Sequence, residues 1–171
     1  AKALVAASLV PPLPGPNGAL ALLSVADRDK GLLGPLATAL ARAGYRFAAT
    51  FGTRAALAAQ GHHAEPVAKL GAPAGPGEVA ILDLVASGRV RLVVNTPTPR
   101  SDPVRDAAGI RLAAIAEGVL CLTAIETAVA AAEAIDPDLA GRHADVRPLG
   151  EWVPRPGLPP GPKPRGGAAR R

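Results

Sequence analysis

The chain has 171 residues, enough for one domain with a sizeable core, and 49% of them are hydrophobic although only 2% are aromatic. The formal net charge is +5, but five basic residues and no acidic one lie from Arg155 onward, so the rest of the chain carries 14 basic and 14 acidic groups. This balance argues against a nucleic-acid partner for the body of the chain. The single cysteine excludes an internal disulfide and a cysteine zinc cluster.

Two segments rich in proline and glycine flank the region that we expect to fold. The stretch "PPLPGPNG" (11–18) cannot form regular structure, so residues 1–17 are predicted to be a linker from a preceding domain. Residues 154–171 are predicted to be a disordered basic tail, with electrostatic docking to nucleic acid or an acidic neighbour as the alternative. Residues 18–153 are then one folded domain. The absence of methionine suggests a piece of a longer polypeptide.

Short apolar runs predict strands at four places in this domain: 19–25, 46–50, 90–96 and 118–122. Because these runs are apolar on both faces, they suit a parallel sheet that is covered on both sides. No run approaches the ~18 apolar residues of a membrane span, and the opening residues do not form a convincing signal peptide. We therefore expect a cytoplasmic protein with no membrane partner.

Helical patterns alternate with the strands. The first spans 32–44 and ends at Gly44; Pro35 inside it means that the helix begins near Gly34 or is kinked. The others are predicted at 53–61, 77–88, 104–118 and 123–135. This alternation predicts a single small α/β domain, a doubly wound parallel sheet in a Rossmann-like three-layer arrangement. In such folds, ligands bind beyond the carboxyl ends of the strands.

The loops at that edge are rich in hydroxyls, amides and lysines and poor in general bases, which suits holding a phosphate-bearing ligand rather than attacking it. A glycine lets the backbone approach the ligand, and the start of helix 53–61 favours an anion. The candidates are Ser24, Lys30, Thr50, Gly52, Thr53, Lys69, Asn95, Thr96 and, after the last strand, Thr123.

Each candidate has a plainer interpretation. Thr53 is the N-cap of its helix in the simplest interpretation of the local pattern. Lys30 is then a solvated surface charge, and Asn95 only closes a turn. Other chemistry finds little support: neither phosphate-loop nor dinucleotide-binding glycine motif is present, and "HH" at 62–63 with a distant His143 does not have zinc-site spacing. We predict no metal and no catalytic residue.

Five segments together, in this order and at these spacings, resemble a known family. They are "LLSVADRDK" (22–30), "ATFGT" (49–53), "ILDLVASGRVRLVVNT" (81–96), "IRLAA" (110–114) and "TAIETAVAAAEAI" (123–135). The family is the methylglyoxal-synthase-like domain, in the version at the C-terminus of the carbamoyl phosphate synthase large subunit. The resemblance covers about residues 1–135.

This resemblance implies a non-catalytic, allosteric domain that binds a nucleoside monophosphate such as UMP or IMP. It implies no cofactor in this domain. It also implies a parent enzyme of pyrimidine and arginine biosynthesis, in which catalytic domains of the same large subunit use ATP and Mg and a small subunit is a glutaminase. By the same resemblance, Lys30, Thr50 and Thr53 hold the phosphate, and the pocket is completed by Ser24, Lys69, Asn95 and Thr96. Thr123 is a possible second effector contact.

Three departures from the family pattern bear on the ligand. Pro97 cannot donate where many relatives have a hydroxyl-and-glycine sequence, Ala107 replaces a serine of some relatives, and Leu122 replaces an acid that helps hold the activator ornithine. We therefore do not expect regulation by ornithine.

Three other functions are possible alternatives to nucleotide binding. A methylglyoxal synthase acting on dihydroxyacetone phosphate needs an aspartate where this chain has Thr96, and a threonine cannot serve as the carboxylate base. A cyclohydrolase domain of purine synthesis needs a basic run that has no counterpart here. An interaction domain without a small ligand stays open.

Overall fold

The computed structural model describes residues 2–7, 9–16, 18–97 and 103–139. Its centre is a six-stranded, all-parallel sheet with the strand order β4–β3–β2–β1–β5–β6. The strands are β1 (Ala19–Ser24), β2 (Tyr45–Thr50), β3 (Ala64–Ala68), β4 (Val79–Ala80), β5 (Val90–Asn95) and β6 (Leu120–Leu122). The predicted fold class, an α/β domain with a single parallel sheet, is confirmed.

Helices cover both faces of this sheet. They are α1 (Lys2–Ala6), a 3₁₀ helix (Asp27–Leu32), α2 (Leu33–Arg42), α3 (Phe51–Ala58), α4 (Ile81–Ala86), α5 (Pro103–Ala116) and α6 (Ile125–Ile135). Side chains of α2, α3 and α6 pack into one apolar cluster. Side chains of α4 and α5 pack into a second cluster on the other face. The layers are therefore helix, sheet and helix.

The central strand β1 shows why the strand sequences are apolar on both faces. Ala21 and Leu23 belong to the cluster under α2, whereas Leu20 and Leu22 belong to the cluster under α4. All four are fully or almost fully buried. Because side chains alternate between the faces of a strand and both faces are covered here, the positions from Ala19 to Leu23 are all apolar and buried, and the polar Ser24 comes only at the carboxyl end.

Helix α2 settles the question that Pro35 raised. The helix begins at Leu33, so Pro35 is its third residue and lies in the first turn, where a missing N–H costs nothing. The chain leaves the helix through Gly44, whose φ of 93° is in the left-handed region that glycine adopts without strain. Leu33, Leu36 and Leu40, all fully buried, bring the helix onto the sheet.

Two strands were not predicted. Strand β3 has the sequence "AEPVA", in which the proline disfavours a strand because it has no N–H to donate. Pro66 is tolerated because β4 pairs only with Val67 and Ala68, so at Pro66 one side of β3 has no neighbouring strand. Strand β4 occupies part of the helix predicted at 77–88, which shrinks to α4; the prediction was wrong for Val79 and Ala80. The helix predicted at 53–61 begins earlier, at Phe51, and ends at Ala58.

The opening segment lies against the domain at the amino ends of the strands. Leu4 and Val10 pack against the first apolar cluster, and the Tyr45 hydroxyl at the start of β2 donates a 2.6 Å hydrogen bond to the carbonyl oxygen of Pro12. The described part of the predicted linker thus contacts the core. The predicted basic tail (154–171) lies outside the described residues. Among the described helices, none has the length and apolar character needed to cross a membrane.

Candidate functional site

The topology creates a crevice at the carboxyl edge of the sheet, between β1 and β5. From β1 the chain builds β2, β3 and β4 on one side, and it then returns to place β5 on the other side of β1. The loops after β1 and β5 therefore leave in opposite directions, which is where ligands bind in sheets of this kind. A cavity of ≈ 300 Å³ lies at this point.

Almost all the predicted site residues meet at this cavity. Those that line it are Ser24, Lys30, Thr50, Gly52, Thr53, Lys69, Asn95 and Thr96. They come from the ends of β1, β2 and β5 and from the segments that follow β1, β2, β3 and β5; the first and last of them, Ser24 and Thr96, are 72 positions apart in the sequence. Thr123 is different: it is exposed after β6, at the far end of the sheet, and is not among the described residues that line the cavity.

Two threonine hydroxyls fix the shape of the β1 loop. The backbone N–H of Val25 donates to Thr53 Oγ1 at 2.9 Å, and that of Ala26 donates to Thr96 Oγ1 at 2.8 Å. Both threonines are buried. These hydroxyls therefore accept from the protein itself, and they tie the β1 loop to α3 on one side and to β5 on the other.

The start of α3 differs from the simplest interpretation of the sequence. The N-cap position is Thr50, not Thr53, and Thr50 makes no capping hydrogen bond. Its hydroxyl instead donates to Thr53 Oγ1 over 3.4 Å. Among the described residues, no side chain accepts a hydrogen bond from the first-turn amides of α3, and together with the helix dipole these amides favour an anion at this point.

Asn95, the last residue of β5, is the clearest sign of a ligand site. It is 6% exposed and lines the cavity. Within the part of the chain that the structure describes, its side chain has no hydrogen-bond partner, yet none of its polar atoms is sealed from solvent. A buried carboxamide is normally paired, so one that faces only a cavity is placed to bind what enters there.

Lys30 brings a positive charge over the start of α3. Its Nζ lies 2.6 Å from Asp27 Oδ1 and would lie 3.1 Å from a Cβ atom placed on Gly52. A side chain at position 52 would therefore crowd the ammonium group, and the flexible end of Lys30 would have to shift by a few tenths of an ångström. The hydrogen bond and the charge of Lys30 hold the pKa of the Asp27 carboxyl below its usual value.

Sequence comparison agrees with this architecture. Residues 33–123 match the family model for the MGS-like domain. The chain belongs to the MGS-like domain family.

Among curated proteins, the chain is 38% identical over 159 residues to the C-terminal section of the carbamoyl phosphate synthase large chain of Methanopyrus kandleri; this match covers 90% of the chain and 28% of that protein. It is 40% identical over 134 residues to the carbamoyl phosphate synthase large chain of Streptomyces coelicolor and 37% over 131 residues to that of Mycobacterium tuberculosis. Those matches cover 78% and 75% of this chain but only 12% of either relative. The MGS-like domain thus resembles one part of much longer proteins.

Part of the cavity lining in this MGS-like domain is apolar. This apolar wall consists of Leu70 after β3, Ile81 at the start of α4 and Ile110 on α5. Sequence reasoning missed these residues because they look like ordinary core positions; only the fold brings them to the same cavity as the lysines. At the rim, the ring of Phe51 is 74% exposed.

Groups for chemical attack are scarce around the cavity. Among its described lining residues, Asp27 is the one carboxylate, and it is paired with Lys30. Cys121 lies on β6, and burial raises the pKa of its thiol, which disfavours the reactive thiolate. The described residues contain no group of three or more side chains suited to hold a metal ion.

Proposed function

We propose that this MGS-like domain is the allosteric domain of a carbamoyl phosphate synthase large chain and that it binds a nucleoside monophosphate such as UMP or IMP. The observation that carries the proposal is the meeting of Lys30, Lys69 and the unpaired carboxamide of Asn95 at one cavity. A phosphate dianion requires cations and hydrogen-bond donors, and these side chains together with the first-turn amides of α3 supply both.

The shape of the cavity favours a mononucleotide over smaller and larger ligands. Its volume of ≈ 300 Å³ lies at the lower end of the range for small-molecule sites, about 300–1,000 Å³, which is too small for a dinucleotide. The apolar wall of Leu70, Ile81 and Ile110 lines the same cavity as the polar groups and offers a surface for the flat base. Inorganic phosphate alone would leave that wall unused.

The polar groups that line the cavity support binding of a ligand without its chemical conversion. A methylglyoxal synthase needs a carboxylate base, but here the Thr96 hydroxyl takes that place and accepts a hydrogen bond from Ala26. Asp27, whose pKa is lowered by Lys30, is a weak base. With dihydroxyacetone phosphate as substrate, we expect methylglyoxal release no faster than in buffer; a protein-dependent rate would favour the lyase instead.

The proposal extends to the wider role that the resemblance implies. In this proposal, the domain reports nucleotide levels to catalytic domains of the same large chain, which use ATP and Mg and receive ammonia from a glutaminase small subunit. The setting is the cytoplasm, in pyrimidine and arginine biosynthesis. The 171-residue chain itself is the regulatory part and catalyses nothing.

Calorimetric titration of the chain with UMP, IMP, uridine and inosine tests the proposal. We expect the two nucleotides to bind and the two nucleosides to bind far more weakly, because the phosphate supplies the main contacts. Lys30→Ala should weaken nucleotide binding at least about tenfold, the equivalent of one lost charge-assisted hydrogen bond. Arg91→Ala removes the same charge from an exposed position on β5 outside this cavity and should leave affinity unchanged.

Absence of binding heat at millimolar nucleotide would contradict the proposal and favour an interaction domain without a small ligand. The presence of Pro97, which has no N–H to donate, in the lining of the cavity gives that alternative its physical basis. Equal affinity of nucleotides and nucleosides would place the contacts at the apolar wall rather than at the lysines.

A further inference from the structure

Asp27 stands where the phosphate-binding groups meet. It lines the same cavity as Lys30, and its carboxylate is 2.6 Å from the Lys30 ammonium group. Its side chain is 94% exposed, whereas that of Lys30 is 26% exposed. The acid therefore reaches the cation from the solvent side of the cavity.

The surroundings of Lys30 explain why an anion is needed there. The ammonium group lies against Gly52, in the first turn of α3, where the uncapped amides already carry a partial positive charge. The ammonium group and the helix amides repel each other unless a negatively charged group lies beside them. The carboxylate of Asp27 is the negative group that the structure provides, through a single ion pair.

A phosphate dianion in the cavity would neutralise the same positive groups as Asp27, with twice the charge. It would contact both Lys30 and the amides of α3, so it would compete directly with the carboxylate for the ammonium group. Because Asp27 is exposed, its carboxylate can turn into water when it is displaced, and the ion pair is weak enough to be exchanged.

We propose that Asp27 is an internal competitor for the phosphate: its carboxylate pairs with Lys30 until a phosphate takes its place, and this exchange lowers the affinity of the domain for nucleotides. This inference rests on the proposed function. Asp27 thereby sets the ligand concentration at which the site fills, without taking part in holding the ligand.

The chain offers a matched control two residues away. Asp29 lies on the same 3₁₀ helix, but its carboxylate pairs with Arg28 at 3.3 Å and it is not among the described residues that line the cavity. Asp29→Asn and Asp27→Asn change the net charge equally. The two acids differ in exposure, since the side chain of Asp29 is 17% exposed, but of the two only Asp27 pairs with Lys30.

The experiment is a calorimetric titration of wild type, Asp27→Asn and Asp29→Asn with UMP and with inorganic phosphate. At about 10 mM salt, where screening extends to about 30 Å, we expect Asp27→Asn to bind UMP about threefold to fivefold more tightly than wild type. Asp29→Asn should change affinity by less than half of that factor. At about 1 M salt the advantage of Asp27→Asn should shrink toward none.

A second measurement follows the displaced group itself. The carboxyl ¹³C resonance of Asp27 should report a lowered pKa in wild type, because Lys30 is its partner. Saturating UMP should raise that pKa, since the carboxylate loses its cation and gains a neighbouring dianion. An unchanged pKa on UMP addition would overturn the inference.

Other outcomes are equally decisive. Weaker binding by Asp27→Asn would mean that the acid positions Lys30 for the ligand, and equal binding would mean that it has no role; either result overturns the inference. Equal tightening by both variants would indicate general electrostatics instead of competition. If wild type and both variants all fail to bind UMP and phosphate, the proposed function fails, and this inference fails with it.

Discussion

The two edges of the parallel sheet handle their polar groups in opposite ways. At the amino edge, the opening segment covers the strand ends, and the Tyr45 hydroxyl donates to the carbonyl of Pro12. At the carboxyl edge no such segment covers the cavity among the described residues, and Asn95 and Lys69 face it without a partner there. One edge is closed by the chain itself, and the other presents unpaired groups.

This difference separates polar groups that stabilise the fold from polar groups that await a ligand. The carboxyl edge holds both kinds, because Thr53 and Thr96 bond to the β1 loop while Asn95 has no side-chain partner among the described residues. At the amino edge, the hydroxyl of Tyr45 is a group of the first kind. Substitutions at the two edges should therefore change stability and ligand affinity in different proportions.

The largest loss of stability is expected for Thr53→Val. The variant keeps the shape of the side chain but leaves the buried N–H of Val25 without its acceptor, which should lower the free energy of unfolding by about 2 kcal/mol. Denaturant unfolding measures this. Thr53→Ser, which retains the hydroxyl, should lose only about 1 kcal/mol for the missing methyl group. Equal losses in both variants would mean that the hydroxyl does not hold the loop.

At the amino edge, Tyr45→Phe removes one hydrogen bond to an otherwise unchanged contact. We expect the free energy of unfolding to fall by about 1 kcal/mol and the affinity for UMP to stay as in wild type. Thermal unfolding and calorimetry on the same preparation provide both numbers. A change in affinity would show that the two edges are coupled, and the comparison between them would break.

The same tyrosine predicts how stability depends on pH. Burial raises the pKa of Tyr45 to about 12, and the nearby charge of Arg91 opposes this only in part. Because the protonated phenol is favoured in the folded state, its contribution is present in full below pH 10 and is lost as the pH rises toward 12. Tyr45 is the one tyrosine of the chain, so the ultraviolet absorbance of the phenolate follows it directly. A midpoint near pH 10 would indicate an open amino edge.

The smallest effect on stability is expected for Asn95→Leu. Its carboxamide has no partner among the described residues, so an apolar side chain of similar size should leave the free energy of unfolding within about 0.5 kcal/mol of wild type. Affinity for UMP should fall at least about tenfold, because a donor at the cavity is lost. A loss of stability as large as that of Thr53→Val would identify Asn95 as a structural residue.

Much of this architecture could be predicted from the sequence because the strong signals are local. The apolar runs of β1 and β5 and the glycine after α2 each determine the conformation of nearby backbone. Because the strands run parallel, the loops that follow them all lie at one edge of the sheet. That is why Lys30 and Asn95, 65 residues apart, could be predicted to share a cavity. Whether the cavity binds a nucleotide stays a prediction.

What could not be predicted depends on contacts between distant segments. The pairing of Thr53 with Val25 replaces a local N-cap by a tertiary hydrogen bond, and no local pattern encodes it. Strand β3 exists despite Pro66 because β4 does not reach that position, so Pro66 has a neighbouring strand on one side only. Ile110 looks like any apolar helix residue until the fold brings it to the same cavity as Lys30.

The double anchoring of Val25 and Ala26 has a mechanical consequence. These two residues are fastened to α3 through Thr53 and to β5 through Thr96, and the 3₁₀ helix that follows them packs against both α2 and α6. Flexing of this loop alone would break two buried bonds. We therefore expect a ligand that pulls on Lys30 to displace the 3₁₀ helix together with α2 and α6, rather than to bend the loop alone.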